Sequence, residues 1–197
     1  TIMPRIERNS LLTLEAYARE RPSFRARAVA HKRARTVHVG EHVTLLFEDE
    51  LTMRYQVQEM LHAEKMFEEA GIQDELDAYN PLIPDGSNLK ATMLIEYEDE
   101  NARRDALARL KGIEDRVWLR VADLPAVRAI ADEDLERENA DKTSSVHFLR
   151  FELTPPMVDA FSRSGPVTIG VDHPAYQAEV ALADPVRKTL AADFAGR

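Results

Sequence analysis

Apolar residues recur at helical spacing from Ser10 to Glu20 and again from Phe24 to Ala34, so the chain is expected to open with two helices, the second restarted by Pro22. The spacing then changes to alternation. Thr36–Val39 and His42–Phe47 read as short strands, with Gly40-Glu41 as a tight hairpin turn between them. Glu48-Asp49-Glu50 puts carboxylates where the next helix begins, which the helix dipole favours. That helix is expected to run to about Ala70 and stop at Gly71. Ile72, Leu76 and Tyr79 give a shorter helix, closed by the stiff loop Asn80-Pro81-Leu82-Ile83-Pro84-Asp85-Gly86.

The second half repeats one phrase. Leu89–Tyr97 is a strand, Asp99 caps a helix, Gly112 ends it, and Val117–Val121 is a strand. Val146–Leu153, a helix between Thr154-Pro155 and Gly165, and Val167–Val171 follow the same order. Residue identity between the two units is low, which favours a common type of connection over a duplication. Tyr176–Leu182 is a last strand, and Asp184-Pro185 opens a helix with Val186, Leu190 and Phe194 on one face. The charged segment Ala131–Lys142 is expected to be an exposed helix or loop. Together these elements imply an α+β fold, a mixed or antiparallel sheet with helices on its faces. Residues 1–35 are expected to form an N-terminal helical arm packed on the body, and residues 36–197 a single domain.

Charge sharpens that division. The net charge is −9, yet residues 1–35 hold nine lysines and arginines against three glutamates, about +6, leaving about −15 for the remainder. A basic arm can bind an acidic partner, nucleic acid included, or lie on the acidic body of its own or a second subunit. Leu11, Leu12, Leu14, Phe24, Ala28 and Val29 read as core-facing, which favours packing, makes nucleic acid an unlikely partner and makes a homodimer the expected assembly. The absence of cysteine removes disulfides, thiolate catalysis and cysteine-ligated iron–sulfur or zinc centres. No apolar run approaches the roughly 18 residues of a membrane span, and the N-terminus has no apolar leader, so a cytoplasmic protein is expected.

Candidate chemistry concentrates in "RYQVQEML", Arg54–Leu61. On a wheel of about 100° per residue, Met53, Val57, Met60, Leu61 and Phe67 form a buried stripe, and Gln56 and Glu64 fall inside it. Glu59 lies at its margin, while Arg54 and Gln58 face outward. A buried carboxylate needs a partner. An arginine of the arm, the Tyr79 phenol, the Asn80 amide or a metal ion could serve. Arg54, Gln56, Glu59, Glu64, Tyr79 and Asn80 are thus the candidate polar or ligand site, weighed against a purely structural network. Glu59 and His62 match a Glu-x-x-His pair, but a di-iron bundle needs a second copy and two further glutamates, so no metal is assigned. His38 and His42 flank the hairpin turn, and Asp172-His173-Pro174 ends a strand. There is no Gly-x-Ser-x-Gly, phosphate loop or dinucleotide fingerprint, so no catalytic residue is named.

The run "VGEHVTLLFEDELTMRYQVQEMLHAEKMFEEAGIQDELDAYNPLIPDGSNLKATMLIEY", residues 39–97, together with "VDHPAY", resembles an uncharacterised bacterial domain-of-unknown-function family. RYQVQEM and YNPLIP are its most specific motifs. The resemblance implies a genomic setting beside rubrerythrin and an iron–sulfur oxidoreductase, and hence oxidative stress, but supplies no activity or catalytic residues. The expected function is a non-enzymatic accessory protein for such redox partners, without a cofactor of its own. The alternatives are a metal- or small-molecule-binding enzyme using the polar site on the 50–70 helix, and nucleic-acid binding through Arg19–Arg35.

Overall fold

The computed structural model describes residues 5–194 apart from 134, 136 and 164. Within them the helices are α1 (Leu14–Arg33), α2 (Glu50–Glu64), α3 (Glu69–Tyr79), α4 (Glu100–Arg109), α5 (Pro155–Ser162) and α6 (Asp184–Ala191). The strands are β1 (Thr36–Val39), β2 (Val43–Phe47), β3 (Asn88–Ile95), β4 (Val117–Val121), β5 (Val127–Arg128), β6 (Ile130–Ala131), β7 (Val146–Glu152), β8 (Val167–His173) and β9 (Tyr176–Ala181). They form two antiparallel sheets, ordered β1-β2-β3-β7-β6 and β5-β4-β8-β9. The fold is α+β.

The strand–helix–strand phrase of the second half is present twice, and each copy crosses from one sheet to the other. β3–α4–β4 and β7–α5–β8 place their first strands side by side in the larger sheet and their second strands side by side in the smaller. Alternation along these strands sends one face inward. Leu45, Phe47, Met93 and Phe151 of the larger sheet share a core with Leu119, Ile169 and Val171 of the smaller, joined by Leu110, Phe161 and Leu190 from the helices. The Tyr176 phenol stitches the sheets together. It donates to the Val39 carbonyl at 2.6 Å and accepts from the amides of His42 and Val43 at 3.1 and 3.2 Å. Gly40 sits under it at φ +78°, where a Cβ would meet the Tyr176 hydroxyl. "VDHPAY" is the neighbouring turn: His173 Nε2 donates to the Lys111 carbonyl at 2.7 Å and Nδ1 accepts the Ala175 amide at 3.0 Å.

A second apolar cluster joins Ile6 and Leu11 to Met53, Val57 and Leu61 of α2, Ile72 and Leu76 of α3, and Ile83. Several expectations change here. Pro22 does not divide the N-terminal segment, because α1 runs through it as one helix. An interior proline costs about 3 kcal/mol. The turn it weakens is exposed, so the Ala18 carbonyl it deprives of a donor faces water, and Tyr17 and Phe24 on either side are buried. Val29, expected in the core, is 41% exposed.

The long helix also stops early, at Glu64. Lys65 takes the left-handed conformation at φ 52°, and the amides of Lys65 and Met66 return to the carbonyls of His62 and Leu61. Gly71 lies inside α3 rather than at a helix end. Its bare Cα lets the Met66 thioether fold over it. The two-residue strands β5 and β6 were too short to carry a pattern. Of the segment expected to be charged and exposed, residues 134 and 136 lie outside the described residues. The remainder is irregular after β6, with one bridge between Glu138 and Thr143.

The element that locks these parts together is Arg35, 1% exposed, immediately past α1. Its Nε donates to the Phe47 carbonyl at 2.7 Å and Nη2 to the Glu48 carbonyl at 3.2 Å. Nη2 also meets Asp193 at 2.5 Å, and Nη1 lies 3.5 Å from Asp49. Asp49 accepts from His31 as well, and closes a reciprocal cap with Thr52 at the start of α2. Burial pushes the Asp193 carboxyl up, against the pull of the Arg35 charge. One guanidinium thus ties α1, β2, α2 and the C-terminal turn. Arg35→Met keeps the stem and strands two carbonyls and a buried carboxylate, so urea denaturation should show a loss of about 3–5 kcal/mol. Arg8→Ala, which breaks only the exposed pair with Glu69, should stay within about 1 kcal/mol. A similar small loss for both would contradict this role.

Candidate functional site

The outer face of the larger sheet is only partly covered. Leu46, Thr92 and Phe148 lie side by side on it, and one step along the strands Glu48, Lys90 and Arg150 form the next row. The loop carrying Pro81 and Leu82 closes over this second row. Beneath it is a cavity of about 290 Å³. Leu82, Phe148, Ala91 and Leu149 give it apolar walls, and Glu48, Lys90, Arg150 and Glu133 give it charged ones.

Glu48 is 5% exposed. Its Oε1 accepts from the Thr92 hydroxyl at 2.9 Å, while Oε2 has no hydrogen-bond partner among the described residues. The Thr52 hydroxyl beside it donates to the Asp49 carbonyl at 3.1 Å. Burial pushes the Glu48 carboxyl above its ordinary value, and the Thr52 and Thr92 hydroxyls and the charges of Lys32 and Arg35 only partly offset that. The Lys90 ammonium donates to the Pro81 carbonyl at 2.6 Å. Burial lowers its pKa, with Asp85 pulling the other way. Arg150 is fully engaged: it forks onto Glu133 at 2.9 and 3.0 Å and reaches Glu152 at 2.6 Å. Chemically, the cavity offers the Lys90 ammonium and apolar surface to a small molecule.

A second polar cluster lies on the inner side of β7. His147 is fully buried, with Nδ1 2.6 Å from Asp132 and Nε2 2.8 Å from the Thr143 hydroxyl, 2.9 Å from the Ser144 carbonyl and 3.9 Å from Glu114. Donor atoms of Glu114, Asp132 and His147 fall within 4.8 Å of one another, so these residues could hold a cation. Both ring nitrogens already face protein partners, however, and Arg137 lies 3.3 Å from Asp132. The cluster reads as a latch fixing the segment after β6 to β7.

The family model described as "Protein of unknown function (DUF3501)" matches residues 5–194. The chain belongs to the DUF3501 family. It is also similar to a crystallised protein of unknown function from Burkholderia pseudomallei K96243, at 59% identity and a TM-score of 0.92, over 96% of this chain and 99% of that one. No curated protein matches it. Among the described residues, no helix of this DUF3501 chain is long and apolar enough to cross a membrane.

The residues singled out from the sequence do not converge in one site. Arg54 binds Glu50 at 2.6 Å and the Ser10 hydroxyl at 2.9 Å. Glu59 binds Arg21 at 3.0 Å, and although burial works against its charge, Tyr55 and Arg21 hold it below the usual carboxylate range. Gln56 is half-buried, and Glu64 is exposed on the last turn of α2. The buried amide is instead Gln58, expected outward, which accepts from the Leu12 amide at 2.8 Å. Glu64 keeps the angle of the stripe but falls on the last turn of α2, and Phe67, counted in the stripe, lies beyond the helix end, 73% exposed.

Tyr79 packs on the second apolar cluster, and Asn80 clamps Ile6 through both its amide and its carbonyl. Asn80 is therefore the anchor of the loop that roofs the cavity. His38 bonds Thr44, while His42 stacks on Tyr97. Sequence reasoning missed Glu48, which looked like one of three helix-starting acids, and the His147 cluster, whose members are too far apart in the chain to form a motif.

Proposed function

We propose that this DUF3501 chain is a small-molecule-binding domain whose ligand enters the cavity between Glu48 and the Pro81-Leu82 loop. The observation that carries this reading is the cavity of about 290 Å³ itself, walled by Leu82, Phe148 and Ala91 with the Lys90 side chain in its lining. A fragment set screened by protein-observed NMR should shift Leu82 and Phe148, and Leu82→Trp, which fills the cavity, should weaken those hits at least tenfold with little change in unfolding midpoint. Hits scattered over the surface, or unaffected by Leu82→Trp, would contradict it.

A role as accessory to redox proteins is the second part of the proposal. It is supported by the resemblance to a family encoded beside rubrerythrin and an iron–sulfur oxidoreductase. It is also supported by the exposed arginines Arg19, Arg25, Arg27 and Arg33 along α1, basic side chains on an acidic protein. The same helix would serve a homodimer. Affinity purification from the native host should recover a rubrerythrin-like or iron–sulfur protein, and recovery of neither would count against the association.

A further inference from the structure

We infer that the His147 latch is a binding site for a divalent metal cation of the manganese type, held by His147 Nε2, the Glu114 carboxylate, the Thr143 hydroxyl and the Ser144 carbonyl, with Asp132 orienting the imidazole from its other side. Both ring nitrogens face protein groups, but donors and acceptors around the ring do not balance. Asp132 Oδ2 lies 2.6 Å from Nδ1, and an ionised carboxylate only accepts, so Nδ1 carries a proton and donates it. In the neutral imidazole Nε2 then holds a lone pair. Yet the Ser144 carbonyl, another acceptor, lies 2.9 Å from Nε2, and Glu114 Oε2 lies 3.9 Å from it. The Thr143 hydroxyl is 2.8 Å from Nε2 and 3.3 Å from Glu114 Oε2. One hydroxyl proton thus faces three acceptors, and the cluster lacks a positive centre.

A second proton on the ring would answer the Ser144 carbonyl but not Glu114, which is out of hydrogen-bond reach of Nε2. Glu114 is 8% exposed, and among the described residues no lysine or arginine pairs with it. Burial pushes its carboxyl above the ordinary range, Glu138 and Asp115 add to that, and the charge of His147 pulls back. The neighbouring cations are engaged elsewhere. Arg137 lies 3.3 Å from Asp132, and Lys111 donates to the Ala140 carbonyl at 2.9 Å. A dication answers the lone pair, the carbonyl and the carboxylate together, where a proton answers only one of them.

The spacing of the donors selects the ion. With bonds of about 2.1 Å, an octahedral cation sets neighbouring ligands about 3 Å apart and opposite ones about 4.2 Å apart. A tetrahedral zinc with bonds of about 2.0 Å keeps all its ligands about 3.3 Å apart. The 2.8, 2.9 and 3.3 Å separations here match the octahedral edge, and 3.9 Å falls between edge and diagonal. One imidazole among oxygen donors suits Mn²⁺ better than the more strictly oxygen-seeking Mg²⁺. Asp132 on Nδ1 is the carboxylate that fixes the tautomer and direction of a ligating histidine. The Glu114 side chain is 11% exposed while that of His147 is fully buried, so the ion enters at the Glu114 edge. Its ligands come from the turn Ile113–Arg116 ahead of β4, from residues 143 and 144, and from β7, so the bound ion ties three stretches of chain.

The test is a titration of the chelator-treated protein with Mn²⁺, followed by loss of the free-ion EPR signal and by the unfolding midpoint. One ion per chain should bind, and the midpoint should rise with Mn²⁺ concentration, because only the folded chain brings the ligands together. Mg²⁺ should compete at least tenfold more weakly. Glu114→Gln keeps the side-chain shape and an acceptor for Thr143. It should weaken Mn²⁺ at least tenfold without lowering the unfolding midpoint of the metal-free protein, so lost binding cannot be put down to lost folding. Absence of binding, or binding unchanged by Glu114→Gln, would overturn the site. Binding of Zn²⁺ where Mn²⁺ fails would overturn the octahedral assignment. Nitrogen-15 spectra showing a proton on both His147 ring nitrogens in the presence of Mn²⁺ would give the missing positive centre to a proton, and would overturn the metal.

Discussion

Arg35 is a charge buried where water cannot reach it, and the chain around it is arranged to neutralise it. Its donors fix the carbonyls of Phe47 and Glu48, while Asp193 and Asp49 supply the counter-charge. The three consecutive acids that follow β2 consequently have three different environments. Asp49 turns back to cap α2 and to meet Arg35 and His31, and Glu50 turns outward to Arg54. Glu48 is left to point across the sheet toward Thr92, with no cation bonded to it. Oε2 of Glu48 is left without a bond among the described residues, because the carboxylates that answer Arg35 are Asp49 and Asp193.

The roof of the cavity is a loop anchored at both of its polar groups. Asn80 fixes the loop to the N-terminal segment through Ile6, and Pro81 presents its carbonyl to Lys90. Arg150, Glu133 and Glu152 close the opposite side as an ion-paired group. Hence the cavity is bordered by five separate stretches of chain, tied to one another by polar contacts such as Lys90 to Pro81 and Arg150 to Glu133. Such a site is pre-formed, and a ligand would need to order little of the protein on entry. The Burkholderia protein, 59% identical over nearly its whole length, shares the fold that carries this arrangement.

Much of the fold could be read directly from the residues. Alternation in Val43–Phe47, Leu89–Ile95 and Val167–Val171 marked strands because one face of each is buried. Thr154 and Asp99 marked helix starts because their side chains cap the first turn. The failures share a physical cause, which is that tertiary contacts overrode local signals. Pro22 is tolerated because its turn faces water. Lys65 adopts a conformation normally left to glycine and so ends α2 before Phe67. The polar stretch "RYQVQEML" held one buried amide, Gln58, where Gln56, with the later Glu64, had been expected. Glu48 was invisible as a site, because an acid before a helix has an ordinary explanation and its burial arises only when β3 and the Pro81-Leu82 loop come alongside.

The central claim is that Glu48 is a buried carboxyl whose proton affinity is set by burial rather than by a bonded cation. A carbon-13 NMR titration of the glutamate side-chain carboxyls, with the Glu48 signal assigned by its loss in Glu48→Gln, measures this directly. The account predicts a Glu48 midpoint above its ordinary value of 4.5. A midpoint at or below that value would show that Oε2 has a charged partner, and would contradict the account.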